Sequence, residues 1–263
     1  MELGLKNKVA LVAASSKGLG RAVAEELAAE GARLIVNARG EEALKEAGDS
    51  IAAQYGTEVL AVAGDVSDRA DAERIVATGI ERFDQIDILI TNSGGPPAGR
   101  FEDLTAEQWD AAVRLLLTGV TDMTRLVLPG MKERRWGRIL NVTSIAAKQP
   151  VENLILSNSL RAAVTGFSKT LAAEVGAHGI TVNTILPGYT ATERVEELAE
   201  HIANKEGIDL SEVRRRWEAE IPLGRLAEPR EFAAMAAFLV SERASYITGS
   251  SIAVDGGWIR SVF

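Results

Sequence analysis

Apolar positions along this chain follow two rhythms. Short runs rich in Val, Ile, Leu and Ala occur at 9–14 (VALVAA), 33–38 (RLIVNA), 58–66 (EVLAVAGDV), 86–94 (IDILITNSG), 137–144 (GRILNVTS), 180–188 (ITVNTILPG) and 251–257 (SIAVDGG). The first six are nearly continuous, which predicts strands buried on both faces of a parallel sheet. Between them apolar residues recur every three or four positions. Leu19, Val23 and Leu27 form one helical stripe, and Leu156, Leu160, Val164, Phe167, Leu171 and Val175 form another. Alternation on this scale predicts an α/β fold, a single doubly wound domain over residues 1–263 with helices on both sheet faces. The segment at about 190–225 breaks the rhythm: it is helical and highly charged. An insertion after a strand's C-terminal end is placed to cover a ligand crevice, and a solvated surface helix pair is the alternative.

The first strand runs through AASSKGLG, residues 13–20, into a helix. Gly18 and Gly20 permit a tight turn at that helix's N-terminus, where free N–H groups and the positive dipole end suit a phosphate. The spacing is not G-x-G-x-x-G, because Val23 stands at the third position. The second strand ends in Asn37-Ala38-Arg39, without the carboxylate that would accept hydrogen bonds from an adenosine ribose. Arg39, with Lys17 in the loop, suits a 2′-phosphate instead, so NADP(H) is expected over NAD(H).

Composition removes other chemistries. The chain's 263 residues are 46% hydrophobic and 25% charged, with no cysteine and two histidines, His178 and His201. A disulfide framework, a thiolate metal site and a cysteine nucleophile are excluded, and a multi-histidine metal site nearly so. A net charge of −8 argues against a nucleic-acid binder or an anionic membrane surface as partner. No apolar run is long enough to span a bilayer. The first residues, MELGLKNKVALVAAS, show no secretory pattern, so the expected location is the cytoplasm.

Taken together, ASSKGLG, GDV (64–66), TNSG (91–94), VTS ending at Ser144, ITVNTILPG and VDGG (254–257) resemble motifs of the short-chain dehydrogenase/reductase superfamily, in its 3-oxoacyl-acyl carrier protein reductase-like branch, over essentially the full length. The resemblance implies a seven-stranded Rossmann-type sheet, a nicotinamide cofactor across its C-terminal edge, and a homo-oligomer, tetramer or dimer. It assigns Ser16, Lys17, Gly18, Leu19 and Gly20 to the pyrophosphate and ribose phosphate. Asp65 and Val66 would face adenine, and Asn92, Ser93 and Gly94 would line the ribose. Pro187, Gly188, Thr190 and Thr192 would hold the carboxamide end.

The chain departs from the family's pattern at several positions. Ala14 stands where the family usually has glycine, and an alanine there is expected to keep φ negative. Counting from Ser144, the family's tyrosine and lysine positions hold Ser157 and Arg161, and its asparagine position holds Leu116. The i, i+4 spacing puts Ser157 and Arg161 on one helix face. A serine hydroxyl is a weaker acid than a phenol, and arginine stays protonated, although its charge can stabilise an oxyanion. Lys148 and Tyr189 are the other candidate proton donors. Three functions fit: an oxidoreductase acting on a small carbonyl or alcohol with a rearranged proton donor, a non-catalytic NADP-binding sensor or partner subunit, and a non-redox lyase- or dehalogenase-like enzyme on the same scaffold.

Overall fold

A computed structural model describes residues 2–262. Seven strands, β1 (Val9–Val12), β2 (Arg33–Ala38), β3 (Val59–Ala63), β4 (Ile88–Thr91), β5 (Gly137–Val142), β6 (Ile180–Pro187) and β7 (Ser251–Val254), form one sheet in the order β3-β2-β1-β4-β5-β6-β7. All pairs are parallel, with Leu11 opposite Ile35 on one side and Leu89 on the other. The chain winds outward from β1 through β3, then returns to place β4 against β1. The loops after β1 and β4 therefore diverge at the C-terminal edge and open a crevice there.

The alternation of side chains along β1 divides the core into two layers. Ala10 and Val12 pack with Val23 and Leu27 of α1 (Gly18–Ala29), with Leu44 and Ile51 of α2 (Glu41–Tyr55), and with Phe232 of α9 (Pro229–Leu239). Val9 and Leu11 face Ile75 of α3 (Arg69–Phe83), Val127 of α5 (Gly119–Arg134), and Leu171 and Val175 of α6 (Ile155–Val175). Each such fully buried aliphatic or aromatic side chain stabilises the fold by roughly 1.5–3 kcal/mol. The run at 58–66 is the exception among the six runs expected to be buried on both faces. β3 is an edge strand, and Val62 alone in it is buried, because only β2 pairs with it.

A polar chain ties α6 to the sheet centre. Thr91 Oγ1 donates to Asn141 Oδ1 (2.6 Å), Asn141 Nδ2 to Ser168 Oγ (2.8 Å), and Ser168 Oγ to the Val164 carbonyl (2.8 Å). All three side chains are buried, so each bond replaces one that water would otherwise make. The charged segment folds as α7 (Glu193–Glu206) and α8 (Leu210–Glu220), which meet through Ala199, Ala203, Val213 and Trp217.

One backbone expectation fails. Ala14 has φ +50°, in the left-handed region that an alanine was expected to avoid. The turn is imposed by its neighbours. Ala13 N–H bonds to Ile90 O (3.0 Å), Ser15 N–H bonds to Asn37 O (2.9 Å), and Ser15 Oγ donates to Val12 O (2.9 Å). The Ala14 carbonyl then lies against Gly20, where a Cβ would overlap it. Left-handed backbone costs an L-residue about 1–2 kcal/mol. Ala14→Gly should therefore raise the thermal midpoint by about 2–4 °C, even after the greater unfolded-state entropy of glycine is counted. Gly20→Ala should lower it by about 4 °C or more. Thermal unfolding of the two purified variants checks both, and a drop for Ala14→Gly would remove the strain interpretation.

Candidate active site

The phosphate-loop candidates meet at the N-terminus of α1. Lys17 is the N-cap residue, in extended backbone, and its side chain makes no capping hydrogen bond. The first-turn N–H groups thus keep no capping acceptor at the positive end of the helix dipole. Gly18 has φ +60°, and Ser16 and Leu19 are half-buried beside it. Thr192 packs its methyl over Gly18, about 3.9 Å from where a Cβ would stand. Lys17 Nζ is paired with Glu193 Oε2 at 2.7 Å and lies 3.9 Å from Glu197 Oε1, both on α7. The pairing with Glu193 pushes the exposed Lys17 amine above its ordinary pKa. Sequence reasoning placed Lys17 as a cation for a cofactor and did not find Glu193.

On the neighbouring strand end Asn37 is buried and donates from Nδ2 to the carbonyls of Val62 (2.9 Å) and Gly64 (3.1 Å), which fixes the turn that carries Asp65 and Val66. Asp65 Oδ1 accepts from Ser67 N–H and Oγ–H. Arg39 is exposed and no ion pair holds it. After β4, Asn92 and Ser93 line the crevice, and Gly94 is exposed with open space above it. Across the crevice Gly188 N–H bonds to Val254 O (3.0 Å) and Thr190 Oγ1 donates to Gly188 O (3.3 Å), so the turn after Pro187 is anchored to β7.

Ser157 and Arg161 do share a face of α6. Arg161 Nε donates to Ser157 Oγ (3.1 Å), and Nη1 donates to the carbonyls of Thr143 (2.7 Å) and Val142 (3.3 Å) at the end of β5. No carboxylate lies within ion-pair distance of it among the described residues. The residue is partly exposed, but its guanidinium lies deep in the crevice with Asn92, Leu115, Leu116 and Val164. Desolvation lowers its pKa to about 10, so it is still a cation at neutral pH. The carbonyl acceptors carry no signature in the sequence.

The remaining candidates are dispersed. Leu116 sits in a π-helical turn, Arg114–Thr118, and packs with Ala112 of α4 (Ala106–Val113) and with Leu156 and Leu160 of α6. Apolar packing therefore occupies the position where the resemblance led one to look for an asparagine. Ser144 is half-buried and caps the following turn by accepting from Ala146 N–H (3.2 Å). Lys148, four residues on, is exposed and makes no side-chain hydrogen bond or ion pair among the described residues. Tyr189 stacks on Trp217 (centroids 4.8 Å, 17°) and meets Trp258 edge-on at 6.4 Å. Burial first, and Glu220 second, raise its phenol pKa. No hydrogen bond joins Ser144, Lys148 or Tyr189 to the Ser157–Arg161 pair. Among the described residues, neither His178 nor His201 makes a side-chain hydrogen bond or ion pair with any of these residues.

Residues 13–259 match the family described as enoyl-(acyl carrier protein) reductase. The chain is 36% identical to D-beta-hydroxybutyrate dehydrogenase of Cupriavidus necator, covering 97% of this chain and 99% of that one. It is 33% identical to a 3-oxoacyl-[acyl-carrier-protein] reductase of Aquifex aeolicus, covering 98% and 99%. In structure it is similar to L-sorbose reductase from Gluconobacter frateurii complexed with NADPH and L-sorbose, with a TM-score of 0.96, 35% identity and complete coverage of both chains.

The raised Tyr189 pKa has a measurable consequence. An unfolded tyrosine ionises at about pH 10. The folded chain keeps the Tyr189 proton above that pH while the unfolded chain loses it, so this residue's contribution to stability falls as pH rises past about 10. The unfolding free energy of Tyr189→Phe, from urea titrations at about pH 9 and 11, should fall less steeply than that of the parent. Equal slopes would show that this phenol is not shifted.

Proposed function

This chain belongs to the short-chain dehydrogenase/reductase family, and we propose that it transfers hydride between NADP(H) and a small carbonyl or alcohol substrate through a site that lacks the family's usual phenol acid. The observation that carries the reading is the uncapped N-terminus of α1 at the sheet's switch point, with Lys17 and Arg39 beside it. Those free amides fit a pyrophosphate, and the open space over Gly94 and Gly95 fits a ribose. Ser16, Lys17, Gly18, Leu19 and Gly20 would hold the phosphates, Asp65 and Val66 the adenine, and Asn92, Ser93 and Gly94 the ribose. Pro187, Gly188, Thr190 and Thr192 would hold the carboxamide end. When bound, the dinucleotide supplies or accepts the hydride.

The chain's own residues do the rest. Arg39 and Lys17 favour a 2′-phosphate, and Lys17 exchanges Glu193 for it. The pair ties α7 to the phosphate loop, which supports reading 190–225 as a lid over the crevice. Ser144, Ser157 and Arg161 hold the substrate oxygen, with Lys148 and Tyr189 as the remaining proton sources. The same reading carries a cytoplasmic location and the family's oligomeric habit, a homotetramer or homodimer. No helix among the described residues is long and apolar enough to cross a membrane.

The test is a titration of the protein with NADPH and, separately, NADH, following tryptophan and nicotinamide fluorescence. NADPH should bind about tenfold or more tightly than NADH, and Arg39→Ala should remove most of that difference. Equal affinities would overturn the 2′-phosphate assignment, and absence of binding by either would overturn the reading itself.

A further inference from the structure

Arg161 is a deeply placed cation whose hydrogen-bond partners are all neutral. Nε donates to Ser157 and Nη1 to two main-chain carbonyls, while Nη2 donates to no atom among the described residues. The crevice that the guanidinium enters has an apolar wall of Leu115, Leu116, Val120, Met123 and Val164, and no acidic side chain lines it.

The polar part of the lining is nearly spent. The Thr91 hydroxyl donates to Asn141 Oδ1 (2.6 Å), that of Ser93 to Gly94 O (3.2 Å) and that of Thr143 to Ile185 O (3.4 Å). Two side-chain donors are left. One is Arg161 Nη2, and the other is the amide of Asn92, which makes no side-chain hydrogen bond among the described residues.

A charge taken out of water is costly unless a partner or a counter-ion replaces its hydration. Three neutral acceptors cover Nε and Nη1 and leave the Nη2 edge without one. At an effective dielectric of about 20, that edge attracts an anion about fourfold more strongly than it would in water. Size then selects the anion. The free space in the crevice is about 20 Å³, room for one or two water-sized bodies. This admits a monatomic or similarly small anion and excludes a phosphate ester or an acyl chain. Arg161 is partly exposed, so solvent ions can reach it.

We propose that Arg161 Nη2 and the Asn92 amide form a site for a small monovalent anion of chloride size, and that this anion and the substrate oxygen exclude each other there. The exclusion rests on the oxidoreductase reading above, whereas the site itself needs neither cofactor nor substrate. Salt then acts on this protein through one crevice as well as by screening its surface charges.

The first experiment follows the thermal midpoint of the full-length protein in sodium chloride and in sodium gluconate at equal ionic strength. Gluconate screens as chloride does and is too large for the crevice. Between about 10 and 300 mM, chloride should raise the midpoint by about 2–4 °C more than gluconate does. Arg161→Gln should respond to the two salts alike. A parent that does not distinguish them, or a variant that still does, overturns the site. Crystals of the parent soaked in sodium bromide give a test that needs no variant. Anomalous scattering should place bromide within hydrogen-bond distance of Nη2, and bromide found only elsewhere overturns the site.

The second experiment adds NADPH and a panel of small ketones and aldehydes, ethyl acetoacetate among them. Over the same range chloride should raise KM for the carbonyl compound about fivefold and leave kcat unchanged. A fall in kcat at constant KM overturns the exclusion. A protein that chloride stabilises but that reduces none of the panel keeps the site, and overturns the exclusion together with the oxidoreductase reading.

Discussion

The site depends on a desolvated guanidinium that is held by neutral partners, with no carboxylate within ion-pair distance among the described residues. Arg161 reaches the sheet because α6 is fixed to it by the Thr91–Asn141–Ser168 chain and because the Val142 and Thr143 carbonyls at the end of β5 accept from Nη1. Burying a charge is costly unless polar partners replace its water. Here three neutral acceptors do so partly, and burial draws the pKa down without discharging the group. Electrostatic potential stays available in the crevice because no local anion cancels it.

The scaffold that presents this charge is set by the parallel sheet. Its order reversal between β1 and β4 opens the crevice, and the hydrogen bonds of Ala13 and Ser15 hold the loop that borders it. Those bonds overrule the preference of Ala14 for negative φ. The compensation is close packing of Gly20 against the Ala14 carbonyl, which brings α1 near enough for its N-terminus to face the crevice. Local strain and a ligand-facing helix end therefore have one cause.

Features set by short-range pattern were legible in the sequence. β2 falls on the predicted 33–38, and α6 carries the whole stripe from Leu156 to Val175, because β-branched runs and 3.6-residue spacing are local properties. The shared face of Ser157 and Arg161 was legible for the same reason. The partners that decide chemistry were not. Glu193 lies 176 residues from Lys17, and main-chain carbonyls look alike at every position. Trp217 did leave a signal, as the single aromatic residue in the charged run RRRWEAE. Its stacking with Tyr189, however, follows from the way α8 folds back. The limited burial of β3 was hidden too, since sequence shows apolarity but not how many strands lie beyond.

The departures at 116, 157 and 161 make physical sense together and little sense singly. Leu116, packed with Leu156 and Leu160, lines that side of the crevice with hydrocarbon. A large side chain at 157 would stand where Arg161 makes its Nε bond, whereas serine leaves room and supplies the acceptor. The three residues together place a cation among neutral partners at the crevice.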